Sequence, residues 1–378
     1  MIAAELPTYS RWPISVVRGR GSTVWDEDGK SYLDLYGGHA VCATGHCHPR
    51  VVEAIAAQAK ELLFYSNVVR LPIRTRAAEA ILAHAREPLA SVFFVNSGTE
   101  ACENAMRLAR RATGRPDVVS FEGGFHGRTA DAISAAGLPK YRELGAPNVP
   151  GHRIVPFNDL DALEAALDDQ VAAVLLEPIQ SMAGVIVGDP DYLRGVQTAC
   201  YRRGAKLIYD EVQTGFGRTG SFFYAGKHGV TPDLVALAKG IGSGFPMGAV
   251  LVSEEIGKTV QNDEYGTTFG GGPLACAAAE ATVRVIEEED LLDRVRDGST
   301  RLRQGLRQIP AVAEVRGEGY LLGIALDRPG KPVREALLSR GVLVGGSDMP
   351  DTLRLLPPLV LTAEEIDRFL GVLSEALR

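Results

Sequence analysis

DLVALAKGIG, residues Asp233–Gly242, joins an apolar run to a lysine and two glycines. Leu234–Ala238 is the kind of run that fills a strand buried on both faces, as parallel strands are in α/β proteins. A lysine ammonium at the end of such a strand is costly to remove from water unless it is paired or loses its charge. The stretch therefore predicts a buried parallel sheet and a chemical task for Lys239.

Similar apolar runs recur between about Val51 and Ser253, separated by helical patterns. The six runs are SVFFVN, DVVSFE, VAAVLLEP, AKLIYDEV, LVALAKG and GAVLVS. Strands that alternate with helices predict an α/β fold, with a mostly parallel sheet covered by helices on both faces. Upstream, VVRGRGSTVWDEDGKSYLDLYGG alternates apolar and polar residues around Asp28-Gly29, which predicts a β-hairpin.

Beyond about Gly272 the pattern becomes that of a smaller α+β unit. PLACAAAEATVRVIEEEDLLDRVRDGSTRLRQGL predicts one long helix, and VAEVRGEGYLLGIAL predicts paired strands. VREALLSRG and TAEEIDRFLGVLSEALR predict amphipathic helices on either side of TLRLLPP. We therefore predict three parts: an N-terminal segment, 1–50, that packs with the small domain; a large domain, 51–272; and a small C-terminal domain, 273–378.

The composition of the 378 residues is that of a soluble globular protein, with a net charge of −7. This charge argues against nucleic-acid and membrane-surface partners. The five cysteines are odd in number and dispersed, which favours reduced thiols in a cytoplasm. CATGHCHP does not have a usual zinc spacing, so we predict no metal. Neither a signal peptide nor an apolar run near the ~20 residues of a membrane span is seen, which also predicts a cytoplasmic protein.

Polar side chains follow three of the apolar runs directly. Glu177 follows AAVLL, Asp210 and Glu211 follow KLIY, and Lys239 follows LVALA. A single carboxylate there is usually a helix cap or a surface residue. Ligands of open parallel sheets, however, bind at the carboxyl ends of the strands, so several polar strand ends on one edge predict a binding site.

A candidate phosphate site lies upstream, in FFVNSGTEACENAMRLARR. Ser97 and Glu100 have the spacing of a capping box, and Gly98 allows close backbone approach at the start of a helix, where free N–H groups bind anions. By itself this sequence could simply begin a helix. An amine at Lys239, an acid at Asp210 and a phosphate cradle on one sheet edge together suggest pyridoxal 5'-phosphate, which needs all three.

With these motifs in place, nearly the whole chain resembles the class III (ornithine-type, fold type I) aminotransferases. The resemblance rests on NSGTEACENAMRLARRATGR, FHGRT, LEPIQ, YDEVQTGFGRTG, ALAKGIGSGFPMGAV, TTFGGGPLACAAA and LRLLPPL, in the family's order and spacing. It implies the fold type I architecture of pyridoxal-phosphate-dependent transferases and a homodimer with shared active sites. Within the class it favours the acylornithine branch of arginine biosynthesis, which transfers the terminal amino group of N-acetylornithine or N-succinylornithine to 2-oxoglutarate, giving the semialdehyde and glutamate.

The resemblance also implies roles around the cofactor. Lys239 would be the Schiff-base lysine and Asp210 the partner of the pyridine nitrogen. Gln213 would hydrogen-bond the phenolic oxygen, and Phe125 would stack on the ring. Three residues would bind the phosphate: Gly98, Thr99 and, from the other subunit, Thr268.

Four further residues are expected at the substrate. The resemblance implies that Arg128 binds the carboxylate distant from the reacting amine and that Arg354 binds the α-carboxylate of glutamate or 2-oxoglutarate. Two planar guanidinium groups suit a dicarboxylate, since each can bind one carboxylate with two parallel hydrogen bonds. Thr267 is expected near the acylornithine, and Tyr9 where ornithine enzymes place a substrate tyrosine.

Three residues depart from the family's pattern: Met182, His39, which stands where acetylornithine enzymes often have an aliphatic residue, and Gly272, which stands where asparagine is usual. Met182, in EPIQSMAGV, stands where many relatives have a glutamate that neutralises the α-carboxylate arginine, so the amine donor stays open. Ornithine, 4-aminobutyrate or a carrier-protein-bound lysine are alternative donors, and an aminomutase shares the fold. His39 is expected at the pocket wall, where a packed histidine is equally consistent. A cofactor-binding regulator without turnover is the alternative from another functional class.

Overall fold

The computed structural model describes residues 4–378, which form seventeen strands and thirteen helices. The strands are β1 (Val16–Arg20), β2 (Thr23–Asp26), β3 (Ser31–Asp34), β4 (Leu89–Val95), β5 (Asp117–Phe121), β6 (His152–Val155), β7 (Val171–Leu176), β8 (Ile179–Gln180), β9 (Ile186–Val187), β10 (Lys206–Asp210), β11 (Leu234–Leu237), β12 (Gly248–Ser253), β13 (Val312–Glu318), β14 (Leu321–Leu326), β15 (Val342–Leu343), β16 (Gly345–Gly346) and β17 (Thr352–Leu355).

The helices differ widely in length, from single turns to sixteen residues. They are α1 (Gly37–Ala40), α2 (Pro49–Glu61), α3 (Pro72–Leu82), α4 (Gly98–Thr113), α5 (Ala130–Ser134), α6 (Pro139–Leu144), α7 (Leu160–Ala166), α8 (Pro190–Arg203), α9 (Glu254–Gly257), α10 (Pro273–Glu288), α11 (Leu291–Leu306), α12 (Gly330–Ser339) and α13 (Ala363–Ala376). Two 3₁₀ turns cover Lys227–Gly229 and Lys239–Gly242.

The central sheet has seven strands in the order β4-β12-β11-β10-β7-β5-β6. All its pairs are parallel except those of β12, which runs antiparallel to both β4 and β11. Every residue of β7, β11 and β12 is buried. The apolar runs thus form strands covered on both faces, and the predicted α/β fold, with its mostly parallel sheet, is confirmed.

The N-terminal and C-terminal parts of the chain share a second sheet, in the order β1-β2-β3-β15. The predicted hairpin around Asp28-Gly29 is the β2–β3 pair, and a further hairpin at Gly21 adds β1. Strand β15 joins β3 in parallel, so residues more than three hundred positions apart pair directly. A third sheet, β13-β14-β17-β16, contains TLRL, the first four residues of TLRLLPP, as β17.

The prediction of one long helix after Gly272 is wrong. Helix α10 ends at Glu288, and α11 begins at Leu291. Asp290 between them has a φ of 50°, in the left-handed region that no continuous helix contains. Both helices bury an apolar face, so apolar residues recur at helical spacing on both sides of the break, as they would in one long helix. Among residues 4–378, no helix has the length and apolar character needed to cross a membrane.

Candidate active site

Three polar side chains meet at the carboxyl edge of the central sheet. Asp210 is the last residue of β10, Lys239 comes two residues after β11, and Glu177 directly follows β7. All three line one cavity of about 370 Å³. The sheet brings them together because β7, β10 and β11 are parallel neighbours, so their ends lie at the same edge.

Lys239 occupies an unusual backbone position. Its φ is 46°, in the left-handed region, and it opens the 3₁₀ turn after β11. It forms no ion pair with any carboxylate of residues 4–378 within 4.0 Å. Burial lowers its pKa, while the negative charges of Asp210 and Glu177 oppose that shift. A buried amine of lowered pKa is a nucleophile and a proton carrier.

Asp210 is a buried carboxylate with three donors. His126 Nδ1 donates to its Oδ2 at 2.8 Å, Cys102 Sγ approaches the same oxygen at 3.3 Å, and the Val212 amide donates to Oδ1 at 3.0 Å. Burial opposes ionisation, but the bond from His126 and the other contacts hold the pKa of Asp210 below its ordinary value. Asp210 is therefore ionised at neutral pH, within the cavity.

Cys102, His126 and Asp210 also form a cluster of possible metal-ligating atoms. His126 Nε2 is buried without a hydrogen-bond partner among the described residues. The cysteine thiol is fully buried and its pKa is raised by burial and by Asp210, which disfavours the thiolate that a metal needs. The cluster is better described as the support of the Asp210 carboxylate.

Two other buried glutamates behave differently. The Glu177 carboxylate accepts from the Phe125 amide at 2.8 Å, and burial together with Asp210 raises the pKa of Glu177. Glu211 lies beside Asp210 in sequence but not in the cavity lining. It accepts from the amides of Tyr224 and Ala225, both at 2.6 Å, so it holds a turn of the backbone.

The amino end of α4 forms another side of the cavity. Ser97 caps the helix by accepting from the Glu100 amide at 3.3 Å, and Glu100 Oε2 accepts from the Asn96 amide at 2.7 Å. A Cβ on Gly98 would come within 3.0 Å of Val212, so only glycine packs there without displacing its neighbour. The first amides of α4 have no partner within the helix and are available to an anion.

Six of the seven residues predicted to bind the cofactor therefore line one cavity: Gly98, Thr99, Phe125, Asp210, Gln213 and Lys239. Thr268 does not line it and is exposed on the segment before α10. Thr267, the neighbouring residue, accepts from Asn96 Nδ2 at 2.9 Å, and Asn96 does line the cavity. The segment that carries both threonines thus borders the site.

Arg354 lies on β17 and is 2% exposed. Its Nε donates to the Gly346 carbonyl at 2.6 Å, and Nη1 donates to Ser181 Oγ at 2.8 Å. Ser181 Oγ in turn donates to Gln213 Oε1 at 3.0 Å, which connects Arg354 to the cavity. Across residues 4–378, no carboxylate lies within ion-pair distance of Arg354. Burial lowers its pKa, although an arginine remains charged.

Arg128 is exposed, and its guanidinium carbon lies over two tyrosine rings. The distances are 5.2 Å to the centroid of Tyr9 and 5.1 Å to that of Tyr141. Tyr141 also packs edge-on against Phe125, at 5.1 Å between centroids. Such contacts hold a planar guanidinium in place and leave its N–H edge free for a carboxylate. The structure thus brings Tyr9 to Arg128.

Comparison with known proteins agrees with this geometry. The family model described as aminotransferase class-III matches residues 6–377. The chain belongs to the class III aminotransferases. It is 44% identical to the acetylornithine aminotransferase of Methanopyrus kandleri over 376 residues, which is 99% of this chain and 97% of that protein. The predicted family membership is therefore confirmed.

Two solved aminotransferase structures superpose closely on this one. The ornithine aminotransferase of Toxoplasma gondii has a TM-score of 0.93 at 30% identity, over 99% of this chain and 92% of that one. An amine transaminase from an uncultivated Pseudomonas species, in its PLP-bound internal aldimine form, has a TM-score of 0.91 at 30% identity, over 100% and 98%. The fold type I architecture is thus also confirmed.

Several residues of this aminotransferase site were missed by the sequence analysis. His126 stands beside Phe125 in FHGRT, so its motif was seen but its bond to Asp210 was not. Ser181 and Tyr141 carried no signal, because their contacts depend on chain segments far apart in sequence. Of the residues that depart from the family's pattern, Met182 accepts a hydrogen bond through its carbonyl from the Asp348 amide at 2.8 Å, and His39 is exposed.

Proposed function

We propose that this class III aminotransferase uses pyridoxal 5'-phosphate to move the terminal amino group of N-acetylornithine to 2-oxoglutarate, giving N-acetylglutamate semialdehyde and glutamate. The observation that carries the chemistry is the single cavity that holds Lys239, Asp210 and the amino end of α4. The 44% identity to an acetylornithine aminotransferase along the full chain supports the donor. N-Succinylornithine is a donor of the same chemical class.

The residues present fit this cofactor. Gly98 and Thr99 would hold its phosphate, Phe125 would cover its ring, and Asp210 would pair with its ring nitrogen. Bound cofactor supplies an aldehyde that reacts with amines and a ring that accepts the electrons of a cleaved C–H bond. Lys239 would hold the cofactor and, once free, carry a proton between the two carbon centres.

The two arginines would orient the substrates. Arg354 retains unused N–H donors, which would bind the carboxylate beside the reacting carbon, and Arg128 would bind the carboxylate farther out. The five carbons of 2-oxoglutarate place a carboxylate at each end, which suits this pair. N-Acetylornithine has only one carboxylate, which Arg128 would bind. Arg354 would have no substrate carboxylate to bind in that half-reaction. Thr267 and Tyr9 would border the donor.

We also propose that the protein acts as a homodimer. Leu63, Val68 and Phe269 are 65%, 84% and 65% exposed, and Phe64 packs against Phe269 at 5.1 Å between centroids. An apolar surface of this kind is typical of an interface. Thr268 lies on the same segment as Phe269, so a partner subunit at this surface would bring its own Thr268 towards the phosphate.

A spectroscopic assay of the half-reactions tests the function. Purified protein with pyridoxal 5'-phosphate and N-acetylornithine should lose the absorbance of the aldehyde form of the cofactor, and 2-oxoglutarate should restore it. Ornithine and 4-aminobutyrate serve as comparison donors. If neither acylated ornithine reacts while another amine does, the donor is wrong but the enzyme class holds.

Ornithine itself is the second candidate donor. The close superposition on an ornithine aminotransferase favours this donor. Met182, which stands where many relatives have a glutamate that neutralises the α-carboxylate arginine, also keeps this donor open. The ratio of kcat/KM for N-acetylornithine and ornithine decides between the two.

A further inference from the structure

A second cavity, of about 620 Å³, lies between residues 10–14, the β2–β3 hairpin, strand β15 and one face of helix α12. It shares no lining residue with the cavity that holds Lys239. Its volume is within the range of small-molecule sites, about 300–1,000 Å³. The second cavity is therefore large enough for a ligand of its own.

The floor of the second cavity is apolar and aromatic. Tyr32 and Leu343 are buried in a small apolar cluster, and Trp12, Ile14 and Leu338 pack against it. All five residues line the cavity. Trp12 is only half-buried, so part of its surface stays available to a ligand. An apolar or aromatic group would cover surface here that the chain itself leaves open.

Three cations line the same cavity without an ion-pair partner within 4.0 Å among residues 4–378. They are Lys30, Lys331 and Arg334. Lys30 is held in place, since its Nζ donates to the Ser339 carbonyl at 3.0 Å and lies 5.0 Å from the centroid of the Tyr32 ring. Arg334 is half-buried, yet its guanidinium donates to no group of residues 4–378. Its five N–H donors are therefore available to a ligand.

The charges of the second cavity favour an anion. Among its lining residues, Glu335 is the one carboxylate, and it lies in no ion pair with residues 4–378. Arg11 is a fourth cation of the lining, but its charge is already paired with Glu5. The three unpaired cations thus outnumber the acid. A positive cavity with an apolar floor matches an anion that carries an apolar group.

Arg334 also connects the second cavity to the candidate active site. Its guanidinium packs against Gly346, where a Cβ would come within 2.8 Å of Arg334 Nη1, and the Gly346 carbonyl accepts from Arg354 Nε at 2.6 Å. Trp12 packs against Tyr36, at 5.6 Å between centroids. Burial raises the pKa of Tyr36, while the charges of Arg354 and Arg334 oppose that shift, so both arginines act on one hydroxyl. A change at Arg334 therefore reaches Arg354.

We propose that the second cavity binds a small organic anion, a carboxylate or phosphate with an aromatic group, and that its occupation weakens the binding of 2-oxoglutarate at Arg354. The anionic group would pair with Arg334 and Lys331, and the aromatic group would pack on Trp12. An anion that neutralises Arg334 removes positive potential beside Arg354, which would bind one carboxylate of 2-oxoglutarate. The binding is independent of the proposed function, whereas the effect on 2-oxoglutarate rests on it.

Tryptophan fluorescence of the holoenzyme tests the binding. The chain has two tryptophans, and Trp25 does not line the second cavity, so W25F leaves Trp12 as the only tryptophan reporter. The probes are phenylacetate and phenyl phosphate, which separate a carboxylate site from a phosphate site. 2-Phenylethanol supplies the ring without the charge, and inorganic phosphate supplies the charge without the ring. Bound cofactor fills its own phosphate site, so the probes cannot bind there.

We expect at least one of the two aromatic anions to give a saturable change with a Kd below about 1 mM. 2-Phenylethanol and inorganic phosphate should bind at least about 10-fold more weakly. R334Q should also weaken the binding at least about 10-fold, since it removes hydrogen bonds from a charged group. The matched control is R340Q: Arg340 ends the same helix and donates to the Ala336 carbonyl at 3.0 Å, but it does not line the cavity. It should bind the anion like the wild type.

The effect on the active site is measured in the 2-oxoglutarate half-reaction. A saturating concentration of the anion that binds should raise the KM for 2-oxoglutarate about 5-fold in the wild type, at the low end of allosteric couplings, and should cause no further rise in R334Q. Because the coupling is finite, the KM should reach a plateau as the anion concentration increases.

Several results overturn the inference. The site is wrong if neither anion gives a saturable change, or if R340Q weakens the binding as much as R334Q. The coupling is wrong if the anion binds but the KM stays constant, or if the KM rises without a plateau and does so in R334Q as well, which is direct competition at the active site. Failure of the proposed function would instead appear in the half-reactions without any anion and would leave the fluorescence titration unchanged.

Discussion

Replacing Arg354 with glutamine should separate the two half-reactions of the enzyme. Two of its five N–H donors are committed, to Gly346 and Ser181, so three remain for a carboxylate. A hydrogen bond to a charged group contributes about 1.5–3 kcal/mol, and two such bonds contribute about 3–6 kcal/mol. At about 1.4 kcal/mol per factor of ten, R354Q should slow the 2-oxoglutarate half-reaction roughly 10²- to 10⁴-fold.

The N-acetylornithine half-reaction should change by less than about 10-fold in R354Q. Its reacting carbon carries no carboxylate, so the arginine has nothing to bind there. Folding should be little affected, because a buried cation without a carboxylate partner contributes desolvation cost rather than stability. Each half-reaction is followed separately through the cofactor absorbance, starting from the aldehyde form or from the amine form.

The matched control for R354Q is R303Q. Arg303 lies partly buried beside the small sheet and donates to two backbone carbonyls, of Val315 and Gly317, with no connection to Ser181 or to the cavity lining. It should leave both half-reactions unchanged. Equal slowing of both half-reactions in R354Q would refute the reasoning, since the arginine would then be acting on the cofactor or on the fold and not on one carboxylate.

Three other predictions follow from the same geometry. Borohydride reduction of the holoenzyme should add the mass of the reduced cofactor to the wild type but not to K239A, and K239A should lose at least about 100-fold in turnover; labelling of the variant would contradict this. Burial alone would lower the pKa of His46, but bonds to Asp34 and Cys42 raise it to about 10. The stability from this pair should therefore be complete below about pH 6.5 and lost as the pH rises through 10, a change of a few kcal/mol at about 1.4 kcal/mol per pKa unit that H46Q should lack in thermal melts. F269D should sediment as a monomer and bind the cofactor more weakly, whereas a dimeric F269D would place the interface elsewhere.

Three of the strands that the sequence analysis located, β7, β11 and β12, are completely buried. VAAVLL is β7 throughout, and each of its residues is buried, so the apolar run alone predicted it. Strand β6 was missed because it is a short edge strand that begins with His152 and Arg153 and is only partly buried. The break between α10 and α11 was missed because Asp290 carries no glycine or proline signal.

The site residues that directly follow a strand could be predicted from the sequence. The site residues whose contacts join distant parts of the chain could not. Lys239 and Asp210 follow apolar runs, so the order of residues alone was enough to place both at one sheet edge. The bond between His126 and Asp210 spans 84 positions, and that between Ser181 and Arg354 spans 173. No local pattern contains such information, because only the sheet order and the packing of β17 bring these pairs together.

The positive charges at the site indicate which ligands it binds. Lys239 lines the cavity, Arg354 is connected to it through Ser181 and Gln213, and Arg128 follows Gly127 of its lining; none of the three has an ion-pair partner among residues 4–378. Unpaired cations near a cavity lack their counter-charge until a ligand supplies it. A phosphate and two carboxylates would supply it here.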